Sequence, residues 1–367
     1  MNHRTLVSNR SPFLSARLRK AKEKTAHQAR LDAVAGTVQR PPRSIHYPTN
    51  ADGKLCTPAE LFGRNVFTLK AMAAALPKPV FASFLRQMRG RQALDKVTAD
   101  AVAHAVRTWA MDRGATHYAH WFQPQTDATA EKQNSFLNLR QLLQAKWDAS
   151  FFPSGGMRTT FEARGYTIWD TTSPMFIQPG PGNTSILYIP SVFISYNGDA
   201  LDEKTVLLRS CETLSKAACG LLNLLDPVPQ GVSPRVHRVF TTLGTEQEYF
   251  LVDRNLYALR PDLKVCGGTL LGSAPAKHQQ MEDHYFGRIP TRVLSAMSEA
   301  ELELWKLGVP VKTRHNGVAP AQFEIAPIFE EVGAMIAVDH NLLTVDVLHR
   351  AAHRHKLKAL FHEKPFK

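Results

Sequence analysis

The chain has 367 residues and a formal net charge of +13, and its 44% hydrophobic and 21% charged residues exclude a chain that is mainly disordered. The longest strongly apolar stretch, residues 184–195, is shorter than a membrane-spanning helix of about 18 residues or more, so we expect no membrane partner. The four cysteines form no C-x-x-C pair, which argues against a zinc ribbon, a dithiol redox site or a disulfide-dense fold and favours a reducing compartment.

Much of the positive charge lies at the N-terminus. Residues 1–50 contain ten lysines and arginines against two acids, a net charge of +8, which leaves +5 for the rest of the chain. We interpret residues 1–60 as a basic, disordered extension, because the scattered apolar residues mark no helical stripe. An Arg-rich, acid-poor N-terminus is also typical of a transit peptide, so a mitochondrial or plastid location stays open beside a cytoplasmic one. Aromatic residues do not alternate with the basic ones, so we expect no nucleic-acid partner.

Regular structure is predicted from about Leu61 onwards. The spacing of apolar residues predicts a helix over 95–113 that ends at Gly114, and a second helix over 130–146. From 147 to 195 the pattern changes to short β-rich segments separated by Gly, Pro and Ser turns. This part is therefore predicted to be a small sheet domain with helical decoration.

Helices and strands alternate in the prediction for the C-terminal part. In chain order the predicted elements are a helix over 203–225, strands over 237–244 and 246–253, a helix over 295–307 ended by Gly308, strands over 309–313 and 322–328, and a helix over 333–356. This order is typical of an α/β arrangement.

Two glutamates lie two positions apart on the second of these strands. Glu246 and Glu248 therefore project from the same face, where their charges repel each other. If that face is buried, a divalent cation such as magnesium or manganese would offset the desolvation of both carboxylates. A solvated outer face is the alternative, and the E-x-E pattern alone leaves both open.

Two further segments carry candidate residues. Glu324 lies between Phe323 and Ile325 in an apolar strand, where an acid needs either a salt-bridge partner or a metal. The PSGG turn at 153–156 could approach a phosphate, although such a turn is more often only structural, and no G-K-[ST] follows that would make it a Walker loop.

Taken in order, seven strings of this sequence resemble the glutamine synthetase family, specifically its type III branch. The resemblance runs from about Leu61 to the last residue. The strings are LFGRNVFTLKAM (61–72), DRGATHYAHWFQPQTDATAEK (112–132), FPSGGMRTTFEARGYTIWD (152–170), GTEQEYFLVD (244–253), MEDHYFGRIP (281–290), TRHNGVAPAQFEIAPIFE (313–330) and LFHEKPF (360–366).

The resemblance implies an α+β fold with two domains. A β-grasp-like N-terminal domain with helical decoration is expected over 61–204, followed over 205–367 by the first part of a glutamine synthetase catalytic α/β half-barrel. It also implies an ATP-dependent ligase with Mg²⁺ or Mn²⁺ as cofactor, whose partners are glutamate, ammonia and ATP. In the family the active site lies between the subunits of a ring, so a ring homo-oligomer is expected of the completed protein.

The resemblance also assigns roles to four residues. Glu246 and Glu248 match the family's first metal-binding pair, and Glu324 matches a further metal-ligand glutamate. Asp148, in the WDAS string before the FPSGG turn, matches the aspartate that the N-terminal domain lends to the ammonium pocket of the adjacent subunit.

The sequence departs from the family pattern in two places. The family's string at 315–317 reads His-Asn-Glu, whereas this chain has Gly317 and so lacks that carboxylate. The sequence also ends at HEKPFK, before the family's glycine-rich loop, its metal-binding histidine and its ATP- and glutamate-binding residues. We therefore expect a truncated or split glutamine synthetase that is inactive alone. The alternative is a catalytically inactive subunit that assembles with full-length subunits and modulates them.

Overall fold

The computed structural model describes most of the chain from residue 25 onwards. The described residues are 25–38, 40–89, 94–123, 130–136, 165–226, 235–272, 285, 287–328, 333–362 and 365–366. The predicted phosphate-approaching turn at 153–156 and Asp148 both lie outside them. Within these ranges, helices and strands combine in two sheets, which confirms the α+β fold class.

The described residues form α-helices along most of the chain. These helices are α1 (Ala26–Val38), α2 (Pro58–Leu61), α3 (Leu69–Ala75), α4 (Lys78–Arg89), α5 (Lys96–Met111), α6 (Glu203–Leu225), α7 (Arg254–Ala258), α8 (Pro261–Cys266), α9 (Thr291–Lys306) and α10 (Ala334–Arg354). The part of the chain that the structure describes contains no helix of the length and apolarity that crossing a membrane requires.

The strands divide by position along the chain. They are β1 (Ala115–Phe122), β2 (Ala130–Ser135), β3 (Gly165–Trp169), β4 (Phe176–Pro179), β5 (Ser185–Ser195), β6 (Gln247–Asp253), β7 (Val311–Asn316), β8 (Gln322–Pro327) and β9 (Leu357–Leu360). The first sheet has the order β2-β1-β5-β3, with β4 also paired to β5. The second has the order β7-β8-β6-β9 and is antiparallel throughout.

The first sheet is covered on one face by α3, α4 and α5. Helix α5 begins at the N-cap Asp95, whose side chain accepts a hydrogen bond from the amide of Thr98, and its buried stripe includes Val102, Val106 and Trp109. Gly114 follows with φ +78°, a left-handed conformation that favours glycine. The prediction of this helix and its stop is confirmed.

A second core joins the two sheets through α9 and α10. Trp121 and Phe176 from the first sheet, Tyr249 from the second, and Met297 and Val347 from the two helices belong to one buried cluster. The second sheet therefore buries one face against α9 and α10 and presents its other face away from them. The elements predicted over 203–225, 246–253, 295–307, 309–313, 322–328 and 333–356 are confirmed within a few residues.

The predicted helix over 130–146 is wrong where the structure describes it. Ala130–Ser135 forms β2, which pairs antiparallel with β1 from Phe122↔Ala130 to His117↔Ser135. Pairing with the free edge of β1 supplies its backbone hydrogen bonds, and this tertiary contact outweighs helix propensity. Residues 137–146 lie outside the described part of the chain.

The predicted strand over 237–244 is also wrong. Apart from an isolated bridge between Thr242 and Gly333, this segment pairs with no strand in the described structure. Side chains of α6 accept hydrogen bonds from the backbone here. The amide of Val239 donates to Ser215 Oγ, and the amide of Val236, just before the segment, donates to Asn223 Oδ1. Hydrogen bonding to a helix therefore replaces a sheet ladder here.

The interpretation of residues 1–60 as disordered is wrong for the part that the structure describes. Helix α1 packs against α7, and Arg40 forms an ion pair with Asp253 at 3.4 Å. Cys56 is buried in a small cluster with Leu61 and Leu302. Residues 1–24 lie outside the described part. The domain limits at 61 and 205 stay predictions, and the second falls just inside α6.

Candidate metal centre

The register of the second sheet brings three candidate side chains to one face. Glu248 on β6 lies opposite Glu324 on β8, and Glu324 lies opposite His315 on β7. Tyr249, Phe323 and Ile325 alternate with these residues and point into the core. The polar face is therefore the one turned away from α9 and α10.

Glu246, His315 and Glu324 form a compact cluster on this face. One ligand atom from each lies within 4.8 Å of the others. Glu246 immediately precedes β6 and is exposed, His315 is partly buried and Glu324 is buried. Two carboxylates and an imidazole at this spacing are a donor set that a divalent cation can use.

Glu324 is the buried centre of the cluster. Its residue exposure is 4%, and among the described residues its carboxylate accepts no hydrogen bond. The basic side chain paired with it is His315, whose Nε2 lies 3.6 Å from Glu324 Oε2. Burial raises the pKa of Glu324, His315 lowers it, and the charges of Glu248 and Glu246 raise it further. A buried carboxylate with so little compensation favours a bound cation.

Glu248 has a different partner. Gln322 Nε2 donates to Glu248 Oε2 at 2.8 Å, while Gln322 Oε1 accepts from the amide of Ala319 at 2.9 Å. Gln322 is buried and both ends of its amide are engaged, so its orientation is fixed. Glu248 is thus held by Gln322 beside the cluster, and its carboxylate is not part of the three-residue group.

Gly317 lies directly against these residues. Its amide donates to the backbone oxygen of Gln322 at 2.9 Å. A Cβ at this position would lie 2.7 Å from Gln322 Cγ and 2.9 Å from Glu324 Oε1. The Gln322 side chain therefore occupies the space that a side chain at position 317 would need.

The side chains of Glu246, His315 and Glu324 are suitable ligands for Mg²⁺ or Mn²⁺. Two carboxylates suit either ion, and the imidazole suits Mn²⁺ better than Mg²⁺. Glu324 has no other cation within bonding distance among the described residues, so a bound ion would supply its missing partner. Position 317 supplies only backbone, so no side chain from it would reach the ion.

The structure brings together part of the site predicted from sequence. Glu246 and Glu324 come together, Glu248 lies opposite Glu324 but is bonded to Gln322, and Asp148 lies outside the described residues. Sequence reasoning allowed His315 only a structural role and missed Gln322. The signal for His315 was the turn between β7 and β8, because a hairpin with that loop places His315 opposite Glu324.

Two family models match this chain. Residues 58–210 match the family model described as glutamine synthetase type III N terminal, and residues 236–367 match the glutamine synthetase catalytic domain. The chain is 45% identical over 349 residues to a glutamine synthetase from Bacteroides fragilis (strain YCH46), which covers 92% of this chain and 45% of that relative.

A eukaryotic relative is similar to the same degree. A type-3 glutamine synthetase from Dictyostelium discoideum is 46% identical over 320 residues, which covers 84% of this chain and 42% of the relative. The chain thus spans less than half the length of either relative. Among solved structures, Plasmodium falciparum glutamine synthetase superposes with a TM-score of 0.43 at 16% identity, over 69% of this chain and 48% of that one.

Proposed function

Since the chain belongs to the type III branch of the glutamine synthetase family, we propose that it takes part in glutamate–ammonia ligation. In this reaction the γ-phosphoryl group of ATP passes to the side-chain carboxylate of glutamate, giving ADP and a γ-glutamyl phosphate. Ammonia, formed when ammonium loses a proton to a base, then attacks the acyl carbon. Phosphate leaves and the amide of glutamine forms. The observation that carries the proposal is the buried Glu324 beside Glu246 and His315 in a chain of this family.

Each residue has a defined task in this proposal. A divalent cation, Mg²⁺ or Mn²⁺, neutralises charge on the transferred phosphoryl group when it is bound. Glu246, Glu248 and Glu324 would hold the divalent cation, and Gln322 orients the carboxylate of Glu248 through its hydrogen bond. Asp148 would bind ammonium and accept its proton, which makes the nitrogen lone pair available for attack.

The rest of the active site would come from sequence that corresponds to the remaining length of the relatives. In the proposed assembly this chain supplies the cation side of the site, and a C-terminal half supplies the groups that bind ATP and glutamate. A ring of such units would place the N-terminal part of one subunit beside the catalytic part of the next. Mass photometry of the completed protein would measure the number of subunits.

The free thiols of the four cysteines support a proposed cytoplasmic location. Cys56, Cys211, Cys219 and Cys266 are all free thiols, as a reducing compartment would keep them. Import into a mitochondrion or plastid is the alternative, and fluorescence microscopy of a tagged chain with and without residues 1–24 would distinguish the two locations.

Glutamine formation from glutamate, ammonia and ATP tests the proposed activity. The assay compares the 367-residue chain alone with the chain co-expressed with the C-terminal half of the Bacteroides fragilis relative, with Mg²⁺ or Mn²⁺ present. Glutamine formed only in the complemented sample would support the proposal. No glutamine from a complemented sample whose two parts co-purify would refute it.

Gly317 favours a second candidate function. A chain that offers only backbone where the family has a metal-binding glutamate would suit an inactive subunit that assembles with complete ones and modulates them. Co-expression with the full-length Bacteroides fragilis relative would then yield mixed assemblies of altered activity. Exclusively unmixed assemblies on native mass spectrometry would rule out this alternative.

A further inference from the structure

We propose that a polar cavity beside the first sheet binds a zwitterionic α-amino acid whose side chain ends in an amide. The cavity has a volume of about 660 Å³ and lies where the end of α5, the segment after α2 and the β4–β5 hairpin meet. Its polar lining includes the charged side chains of Arg64, Asp112 and Arg113 and the amides of Asn65, Gln178 and Asn183. The proposal goes beyond the proposed function and does not rest on it.

Backbone hydrogen bonds hold the three segments of the cavity wall together. The oxygen of Asn65 accepts from the amide of Ile177 on β4 at 2.8 Å. The oxygen of Gly114, which follows Arg113, accepts from the amide of Ser185 on β5 at 2.9 Å. The cavity is therefore formed by the fold itself, and a ligand could enter it with little rearrangement of the backbone.

Opposite charges line the cavity without neutralising each other. The side chains of Arg64 and Asp112 form no hydrogen bond or ion pair with any described residue. Arg113 is held by Trp109, because its Nη1 donates to the Trp109 backbone oxygen at 3.2 Å and its guanidinium carbon lies 4.7 Å from the centre of the Trp109 ring. A ligand that carries both a carboxylate and an ammonium group would give each unpaired charge a partner.

A further positive charge lies close to Arg64. The amide of Asn65 donates to the backbone oxygen of Lys306 at 2.8 Å. Burial lowers the pKa of Lys306, Glu303 raises it, and the positive charge of Arg64 lowers it again. Arg64 and Lys306 therefore repel each other, and a bound anion would relieve that repulsion. We expect the carboxylate of the ligand at Arg64 and its ammonium group at Asp112.

The amides of the cavity wall indicate the third functional group of the ligand. Gln178 is only 4% exposed, and its Nε2 donates to Asp346 Oδ2 at 3.5 Å. Its Oε1 accepts no hydrogen bond from any described residue. An amide on the ligand can donate to this oxygen, whereas a second carboxylate can only accept. L-Glutamine combines the three groups and is therefore the probe.

Isothermal titration calorimetry on the full 367-residue chain tests the proposal, with neither metal nor ATP present. We expect L-glutamine to bind at one site. Two analogues should bind roughly tenfold or more weakly: glutaramate, which lacks the ammonium group, and γ-aminobutyramide, which lacks the carboxylate.

Substitutions in the wall assign each charge to its partner on the ligand. Asp112→Asn should raise the Kd for L-glutamine roughly tenfold and leave the Kd for glutaramate unchanged, because glutaramate has no ammonium group to lose its partner. Arg64→Gln should raise the Kd for both ligands. The matched control is Arg86→Gln on the exposed surface of α4, which should leave every Kd unchanged.

Three results would overturn the proposal. Wild-type chain that binds no L-glutamine at millimolar concentration would contradict it, and this result does not depend on whether a variant folds. Equal affinities for L-glutamine and glutaramate would mean that the cavity binds anions only. Unchanged Kd values in folded Asp112→Asn and Arg64→Gln would place the ligand elsewhere. Because the titrations contain neither ATP nor metal, their outcome is independent of the ligase activity that the complemented assay measures.

Discussion

The side chain of Gln322 lies where a glutamate at position 317 would have to enter. A glutamate there would force Gln322 aside, release Glu248 from its hydrogen bond and add a further carboxylate near Glu324. We therefore expect Gly317→Glu to bind Mn²⁺ roughly tenfold more tightly than the wild-type chain, because carboxylate ligands raise affinity for hard cations. Isothermal titration calorimetry measures the change.

Gly317→Ala is the matched control for this substitution. It displaces Gln322 in the same way but brings no carboxylate, so we expect no comparable gain in Mn²⁺ affinity. Crowding against Gln322 and Glu324 should lower its free energy of unfolding by about 1–3 kcal/mol. Equal Mn²⁺ affinities for the two variants would show that position 317 does not face the cation.

Burial of His340 should make the free energy of unfolding depend on pH, and a substitution of His340 can isolate this contribution. Burial lowers its pKa from 6.5 to about 4, so the unfolded chain takes up a proton in this range before the folded chain does. The contribution of His340 to stability is therefore present above pH 6.5 and is lost as the pH falls from 6.5 to about 4. At about 1.4 kcal/mol for each pH unit, the full loss is about 3 kcal/mol.

Urea unfolding at a series of pH values measures this contribution. The free energy of unfolding of His340→Gln should fall less steeply than that of the wild-type chain between pH 6.5 and 4, while above pH 7 the two slopes should agree. Parallel slopes below pH 6.5 would mean that His340 titrates normally in the folded protein.

Among the elements, α6 and α10 are tied together by a buried charge network. Lys204 of α6 has 0% exposure, and its Nζ lies 2.9 Å from Asp170 and 2.7 Å from Asp339 of α10. Ser173 and Gln123 also donate to Asp339. The network joins residues that directly follow β1 and β3 of the first sheet to α10, which packs on the second sheet. It therefore fixes how the two sheets pack against each other.

Removing the lysine should destabilise the protein strongly. We expect Lys204→Met to lower the free energy of unfolding by about 3–5 kcal/mol, because it leaves two carboxylates buried without a cation. The control Lys216→Met is on the same helix and removes an exposed ion pair with Glu212, so its effect should stay within about 1 kcal/mol. Chemical denaturation of both variants would refute the assignment if their losses were equal.

The same elements show what the sequence could and could not predict. Helices α5, α9 and α10 were predictable because their apolar stripes and the stop glycines Gly114 and Gly308 are local signals. Strand β2 and the segment over 237–244 were not, since backbone hydrogen bonds to other elements, and not a local signal, decide their conformation. In the site, the strand pattern placed Glu324 correctly, whereas His315 and Gln322 depend on the register between strands.

At the scale of the whole molecule, the second sheet offers two edges. Among the described strands, β7 and β9 each pair on one side only, and the polar face with Glu246, His315 and Glu324 lies between these edges. Unpaired strand edges are ready to receive further strands. The proposed C-terminal half would extend the sheet from one or both edges and enclose the proposed cation site.

The complemented assay with Glu324→Gln tests most directly whether this face performs the proposed chemistry. Both parts are co-expressed, co-purified and assayed for glutamine formation at saturating Mn²⁺, with Glu212→Gln on the exposed surface of α6 as control. We predict that Glu324→Gln lowers kcat/KM on the order of 100-fold through loss of a metal ligand, while Glu212→Gln remains at the wild-type value. Full activity of Glu324→Gln in a folded, co-purified complex would contradict the account, because the cluster of Glu246, His315 and Glu324 would then have no part in the reaction.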